Sequence, residues 1–264
     1  MAKQNLTALI TGASSGIGLE LAKVFAQEGY DLVLVARSKG KLSDLGAELS
    51  KAHGIDAQVI AADLADPASV ETIAKELEAR GTKVTALVNN AGYASYGPFA
   101  EVSPKEQLDM IQVNVVALTA LSRRLLPGML ERRQGQILNV ASTAAFQPGP
   151  LMAVYYATKS FVLSLSEALA DELDGTGVTV TALCPGPTAS GFQSRAKMEE
   201  SKLVRGKKIM DATTVARAGF EAMRKGTRVA IPGFMNKVMA NSVRLLPRSM
   251  VTSLVRKAQE RANA

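Results

Sequence analysis

Thr11-Gly12-Ala13-Ser14-Ser15-Gly16-Ile17-Gly18 decides how this chain folds. The apolar, β-prone run Leu6-Thr7-Ala8-Leu9-Ile10 leads into it, and a helix-patterned segment from Leu19 to Gln27 follows. A strand feeding a glycine-rich turn and then a helix is a phosphate-binding βα unit, because the helix N-terminus aims unpaired N–H groups and a positive dipole end at an anion. The glycines divide the work: tight turning, close approach of backbone N–H groups to a pyrophosphate, and close packing of helix on strand. The turn therefore predicts a bound dinucleotide.

Outward from that unit, strand candidates recur at 6–11, 31–36, 56–61, 84–88, 136–141, 178–183 and 228–231. Helix-length segments lie between them near 16–28, 40–52, 67–80, 103–132, 155–174 and 212–225. Short, nearly continuous apolar strands suit burial on both faces, hence a parallel sheet with helices on each side. Right-handed crossovers make this a doubly wound α/β (Rossmann) fold, with ligands beyond the carboxyl ends of the strands. No repeat, low-complexity segment or linker divides the chain. Residues 1–232 read as one dinucleotide-binding and catalytic domain with a substrate loop near 188–210, and 233–264 as a helical tail.

Composition narrows the function classes. Apolar residues make up 47% and charged residues 21%, an ordinary soluble balance. A single cysteine, Cys184, excludes an internal disulfide and suits a reducing compartment. The single histidine, His53, has no Cys or His companion at ligand spacing, so no metal site is expected. No charged-then-apolar leader and no span-length apolar run is visible, and the expected location is cytoplasmic. The net charge of +7 is uneven: Arg195 to Ala264 holds 16 Lys and Arg against 5 Asp and Glu, leaving 15 against 19 before it. Such a tail reads first as a solvated face; nucleic acid is not an expected partner.

The end of the second strand selects the cofactor. An acidic residue there would bind the 2′-hydroxyl of NAD, but the chain reads Val35-Ala36-Arg37-Ser38. Arg37 can instead present its planar donors to a 2′-phosphate, which points to NADP(H). Asp63, after the third strand, is either an acceptor for an adenine amino group or a loop residue before a helix. Asn89-Asn90-Ala91-Gly92 follows the fourth strand, where small residues let the backbone lie against a cofactor.

Four residues are candidates for the chemistry. Asn114 sits among apolar neighbours in a long helical stretch, either as a satisfied core amide or as a water-binding site. Ser142 follows the fifth strand, at the sheet edge where substrates lie. Tyr155 and Lys159 stand four apart at a helix start and share one face. Tyr156 has Ser160 rather than lysine four residues on and reads as packing.

With the glycine turn, Asn89 to Gly92, Asn114, Ser142, Tyr155 and Lys159 in this order, the chain from Leu6 to about Pro232 resembles the short-chain dehydrogenase/reductase family. The resemblance is softer for one branch, the ketoacyl and hydroxysteroid reductases. It implies a seven-stranded parallel sheet with three helices on each face, and a homodimer or homotetramer. Gly12, Ser14, Ser15, Ile17 and Gly18 would line the pyrophosphate and ribose around the Gly16 turn. Asp63 and Leu64 would meet the adenine, and Asn90, Ala91 and Gly92 the adjoining ribose. Pro185 and Gly186 would cover the nicotinamide, with Thr188 near its carboxamide and Ser190 where the family often carries threonine. The implied reaction is hydride transfer between nicotinamide and a ketone or secondary alcohol.

That reaction builds negative charge on a carbonyl oxygen, so it needs a proton source and aimed donors. Tyr155 is the expected acid, Lys159 is expected to lower the phenol's pKa and hold the ribose, and Ser142 to bond the substrate oxygen. Asn114 would hold a water that passes protons toward Lys159. A non-catalytic dinucleotide sensor or scaffold is the alternative, followed by a sugar-nucleotide epimerase or dehydratase; the intact Ser142, Tyr155 and Lys159 set argues against the first. Substrate signals are aromatic and apolar loop residues (Tyr93, Tyr96, Phe99, Phe146, Met152), which suit a ketone with a hydrocarbon body. Lys197, Lys202, Arg205, Lys207 and Lys208 read as solvent charges. In the tail, Met250, Val251, Leu254, Val255 and Ala258 form a helical stripe opposite Arg256, Lys257 and Arg261. Packing on the subunit or on another subunit is the leading expectation for it, ahead of a peripheral membrane contact.

Overall fold

Seven runs of aliphatic residues pair as parallel strands, and the computed structural model describes residues 6–192, 196 and 209–260 of the chain. The strands of the sheet are β1 (Thr7–Thr11), β2 (Asp31–Ala36), β3 (Ala57–Ala61), β4 (Ala86–Asn89), β5 (Gly135–Val140), β6 (Val178–Leu183) and β9 (Val229–Ala230). Their order is β3-β2-β1-β4-β5-β6-β9, and every pairing is parallel. Connections diverge from β1 in opposite directions, which opens a crevice between the carboxyl ends of β1 and β4. Two further strands, β7 (Thr188–Ala189) and β8 (Met210–Asp211), pair outside the main sheet; the sequence reading did not foresee them.

Alternate side chains of each strand feed opposite faces. Ala8 and Ile10 join one core with Leu32 and Leu34, while Leu9 joins the other with Val33 and Val35. The first face is covered by α1 (Gly16–Gln27), α2 (Lys39–His53) and α7 (Ala212–Arg224). Phe25, Tyr30 and Phe220 meet edge to face there, with centroids 4.8–6.1 Å apart. On the second face lie α3 (Ser69–Ala79), α4 (Pro104–Ile111), α5 (Leu118–Glu131) and α6 (Ala153–Glu172). The single helix expected at 103–132 is interrupted by a wide π turn at Gln112–Ala117, which carries Asn114.

The tail folds as α8 (Phe234–Ser242), a short turn at Val243–Leu245, and α9 (Arg248–Gln259). The expected apolar stripe divides. Val251 and Val255 are buried beside Tyr155 and Tyr156, whereas Met250 and Leu254 are exposed. Arg261 and the five cations between Lys197 and Lys208 lie outside the described residues, as does most of the 188–210 loop. No described helix is long and apolar enough to cross a membrane.

Candidate active site

The glycine turn closes because β1 ends at Thr11, whose hydroxyl bonds forward and back. Its Oγ1 donates to Val88 O (3.2 Å) and accepts from Asn90 N and Ala91 N (both 3.0 Å). Gly12 sits at φ +68, and a methyl there would come within 2.8 Å of Asn90 Nδ2 and 3.0 Å of the Ala91 α-carbon. Gly18 lies behind the turn, where an added carbon would collide with Gly12 O and Asn90 Nδ2. Gly18 therefore does not line the cavity as expected; it sets the close approach of α1 to the sheet. Ser15 caps α1 without a side-chain capping bond, and no acidic residue occupies the first turn. The first-turn donors stay available to an anion.

One cavity of about 1040 Å³ runs from this turn across the sheet edge to α6 and the tail. Apart from Gly18 and Asn114, every cofactor and catalytic residue predicted above lines it: Gly12 and Ser14 to Ile17 at the turn, Arg37, Asp63 and Leu64 beyond it, Asn90 to Gly92 along one wall; of the expected substrate residues, Tyr93 and Met152 line it and Tyr96, Phe99 and Phe146 do not. Ser142, Tyr155, Lys159, Pro185, Gly186 and Thr188 line the far part. Ser38 and Lys41, which sequence reading missed, stand beside Arg37. Arg37 Nη1 is 3.9 Å from Asp63 Oδ2, with both side chains largely exposed, so the pair holds it by at most about 1 kcal/mol. Arg37 is thus able to turn to a ligand. Asp63 Oδ1 accepts from Ala65 N (3.1 Å) in a local turn, as the loop reading expects, and the residue also lines the cavity with Oδ2 toward Arg37. Asn90 spends its Nδ2 donor on Thr11 O (2.9 Å) and Gly12 O (3.4 Å), which ties its side chain to the glycine turn.

Tyr155, Lys159 and Ser142 converge at the opposite end. Lys159 Nζ lies 5.8 Å from the Tyr155 ring centroid and donates to Val140 O (2.7 Å). Ser142 stands beside the Tyr155 phenol, donates from Oγ to Pro185 O (3.4 Å) and accepts from Ala144 N (3.1 Å). Burial pushes the Tyr155 phenol above its ordinary value, and the Ser142 hydroxyl opposes it. This corrects the expected depression by Lys159. Burial also brings the Lys159 ammonium down to about 8, and that cation is turned to a carbonyl rather than to the phenol oxygen.

Asn114 is buried, and its amide is satisfied: Oδ1 accepts from Tyr93 N (3.1 Å), and Nδ2 donates to Tyr93 O (3.0 Å) and Thr158 Oγ1 (3.1 Å). The π turn puts this amide behind Gly92. A methyl at Gly92 would meet Asn114 Oδ1 at 3.0 Å and Lys159 Nζ at 3.4 Å. Ser190 folds back over the glycine turn, its carbonyl within 2.9 Å of where a Gly16 side chain would begin. Thr188 Oγ1 donates to Gly186 O (2.9 Å). Phe192 tilts against the Tyr155 ring at 5.4 Å, and buried Cys184 makes no disulfide.

A second set of contacts escaped sequence reading. Gln259 of α9 is fully buried in the cavity wall and donates from Nε2 to Tyr156 Oη (2.6 Å) and Met152 Sδ (3.3 Å). Tyr96 Oη donates to the Gln259 carbonyl (2.6 Å).

Sheet order, glycine turn and the Ser–Tyr–Lys convergence define a class, and comparison with known proteins agrees. The short chain dehydrogenase family profile matches residues 6–201, and the chain belongs to that family. A very-long-chain 3-oxoacyl-CoA reductase of Phaeosphaeria nodorum is 40% identical over 177 residues, 66% of this chain and 52% of that protein. The chain thus spans about half the length of that relative. A granaticin polyketide synthase putative ketoacyl reductase of Streptomyces violaceoruber is 40% identical over 72% of this chain and 70% of its own. Among solved structures, a short-chain dehydrogenase from Sphingobium yanoikuyae in complex with NADPH superposes with TM-score 0.83 at 33% identity, covering 98% of this chain and 100% of that one.

The residues fit a nicotinamide dinucleotide. The glycine cradle leaves no room for side chains where a pyrophosphate backbone contact is needed, and the cavity exceeds the upper range of ordinary small-molecule pockets, roughly 300–1,000 Å³. No cluster of three metal-ligating side chains occurs among the described residues.

Proposed function

We propose that the protein is an NADPH-dependent reductase of ketones with an apolar body, with Tyr155 as proton donor. The observation that carries this reading is the convergence of Tyr155, Ser142 and Lys159 at one end of a cavity whose other end holds the glycine turn and Arg37. Arg37, Lys41 and Ser38 would hold a 2′-phosphate, the first turn of α1 the pyrophosphate, and Asn90 to Gly92 the nearer ribose. NADPH supplies the hydride when bound.

The chain's own part is electrostatic and positional. Ser142 and Tyr155 bring two hydroxyls to one end of the cavity, where they would meet the charge that develops as a carbonyl is reduced. Burial keeps the Tyr155 phenol protonated at neutral pH, so it donates instead of ionising early. Lys159, charged below about pH 8, donates to Val140 O here and would have to turn from that carbonyl to meet the phenolate that donation leaves behind. Asn114 braces the 90–93 loop against Thr158, one residue before Lys159, and, in this reading, keeps the water that returns a proton. Relatives named as 3-oxoacyl-CoA and ketoacyl reductases support a carbonyl substrate, and the NADPH complex of the Sphingobium protein supports the cofactor. Exposed Leu108 and Ile111 of α4, Val116 of the π turn and Phe161 of α6 support self-association through that face.

The test is NADPH oxidation with bulky ketones, diketones and β-ketoacyl thioesters. Turnover should fall about 10²–10⁴-fold in Tyr155→Phe with NADPH affinity retained. Cofactor binding without turnover on every class would point to the sensor instead.

A further inference from the structure

The last two helices carry an apolar outer face that the subunit leaves uncovered. Of thirteen large apolar side chains exposed among the described residues, eight lie between Phe234 and Leu254. Phe234 is 81% and Leu245 86% exposed, far more than scattered surface residues require. The face is firmly seated from behind. Ala240, Val251 and Val255 are buried, and Asn236 presses on Gly186, where an added carbon would meet its Oδ1 at 2.5 Å.

This face is also the lip of the active-site cavity. Met239, Leu246 and Leu254 line the cavity and are at the same time 40–55% exposed. An apolar wall therefore runs from beside Tyr155 to the outer surface. Around it the charge has one sign. Residues 233–264 carry six Lys and Arg against one Glu, and exposed Lys237, Arg248, Arg256 and Lys257 make no ion pair with a described residue.

We propose that this face rests on the surface of an anionic bilayer, and that the apolar substrate passes from the lipid to Tyr155 through the Met239–Leu254 lip. Apolar side chains entering the headgroup boundary, with cations on the lipid phosphates, is how a basic amphipathic surface binds a membrane. A second copy suits the face less well, because a two-fold contact sets the same cations against each other. A protein seated there would cap the substrate's route. The docking claim is independent of turnover, and rests on the reductase reading only for what passes the lip.

Sedimentation of the full chain with vesicles tests it, comparing phosphatidylcholine containing phosphatidylserine with phosphatidylcholine alone, at low and high salt. The protein should pellet with the anionic vesicles and lose binding as salt rises. Partitioning should drop about tenfold or more in Phe234→Ser/Leu245→Ser and in Lys237→Gln/Arg248→Gln. NADPH binding and reduction of a short, water-soluble ketone should stay as in the parent, which separates lost docking from lost folding or lost chemistry. Equal, negligible pelleting with both vesicle types would overturn the proposal. So would binding untouched by the Phe234/Leu245 change, or a stable dimer in solution that this change splits into monomers.

Discussion

At the glycine turn the cavity wall is backbone, brought together by residues close in sequence to β1 and β4. At the tail the wall is side chains, and its bonds join Tyr156 to Gln259 and Tyr96 to Gln259 across 103 and 163 residues. The first end has no spare volume: a single carbon on Gly12 or Gly18 meets main-chain or amide atoms. The second tolerates variation in shape, since much of it is apolar and part of it opens to solvent. A fixed cofactor and a variable substrate call for that division, because a diphosphate is read by N–H groups at set positions and a hydrocarbon body by area and outline.

The sharpest way to break this contrast is Gly18→Ala. The methyl has to displace Gly12 or Asn90, which moves the first turn of α1 away from its ligand. NADPH affinity should fall about a hundredfold, equivalent to roughly 2.7 kcal/mol, by calorimetric titration. Retained affinity would mean that the turn has slack the geometry does not show. Arg37→Ala comes next. NADPH affinity should drop about tenfold with NADH affinity unchanged, because a charge-assisted guanidinium–phosphate contact is worth roughly 1.5–3 kcal/mol and one from an exposed arginine lies at the low end. Equal losses for both cofactors would remove Arg37 from the 2′-phosphate.

The third effect is a pH limb. Burial holds the Lys159 ammonium at about 8, well under its ordinary value. For ketone reduction kcat/KM should therefore fall above about pH 8, approaching a tenfold loss per unit. Stability should move the other way. An unfolded lysine keeps its proton to about pH 10.4, so between about 8 and 10.4 the unfolded chain binds more protons, and this group's contribution to stability rises with pH. A pH–rate profile beside a pH series of melting temperatures separates lost catalysis from unfolding. A rate that stays flat to pH 10 would show that the Lys159 proton is not needed.

How far the sequence could be read follows the same contrast. β2 and β6 fall at 31–36 and 178–183 as expected, because unbroken aliphatic runs between turn residues leave little choice of register. Arg37, Ser142, Tyr155 and Lys159 were legible because each stands at a fixed offset from a strand or helix end. The π turn was not, since one extra residue in a turn leaves no trace in the apolar pattern of Gln112–Ala117. Nor could any periodicity reveal that Gln259 closes on Tyr156, or that the 250–258 stripe splits into a buried and an exposed half. The rise of the Tyr155 phenol was missed for a related reason. Spacing shows that lysine is near, but only burial shows how strongly an anion is disfavoured.

Gln259→Leu probes the tail end with the smallest expected effect. The change removes the donor to Tyr156 Oη, and it also removes a buried acceptor, Oε1, that has no partner among the described residues. Losing a bond destabilises and losing an unpaired oxygen stabilises, so the net should be about 1 kcal/mol of destabilisation, a fall in Tm of about 2–4 °C. Its functional mark should be selective. With Tyr156 and Met152 less firmly held, KM for a bulky ketone should rise a few-fold while kcat on a small ketone and NADPH affinity stay put, because the glycine turn and the Tyr155–Ser142 pair are untouched. If NADPH affinity falls along with the bulky-ketone KM, the two ends of the cavity are mechanically joined, most directly through Asn236 on Gly186. The division of labour drawn from their construction would then fail.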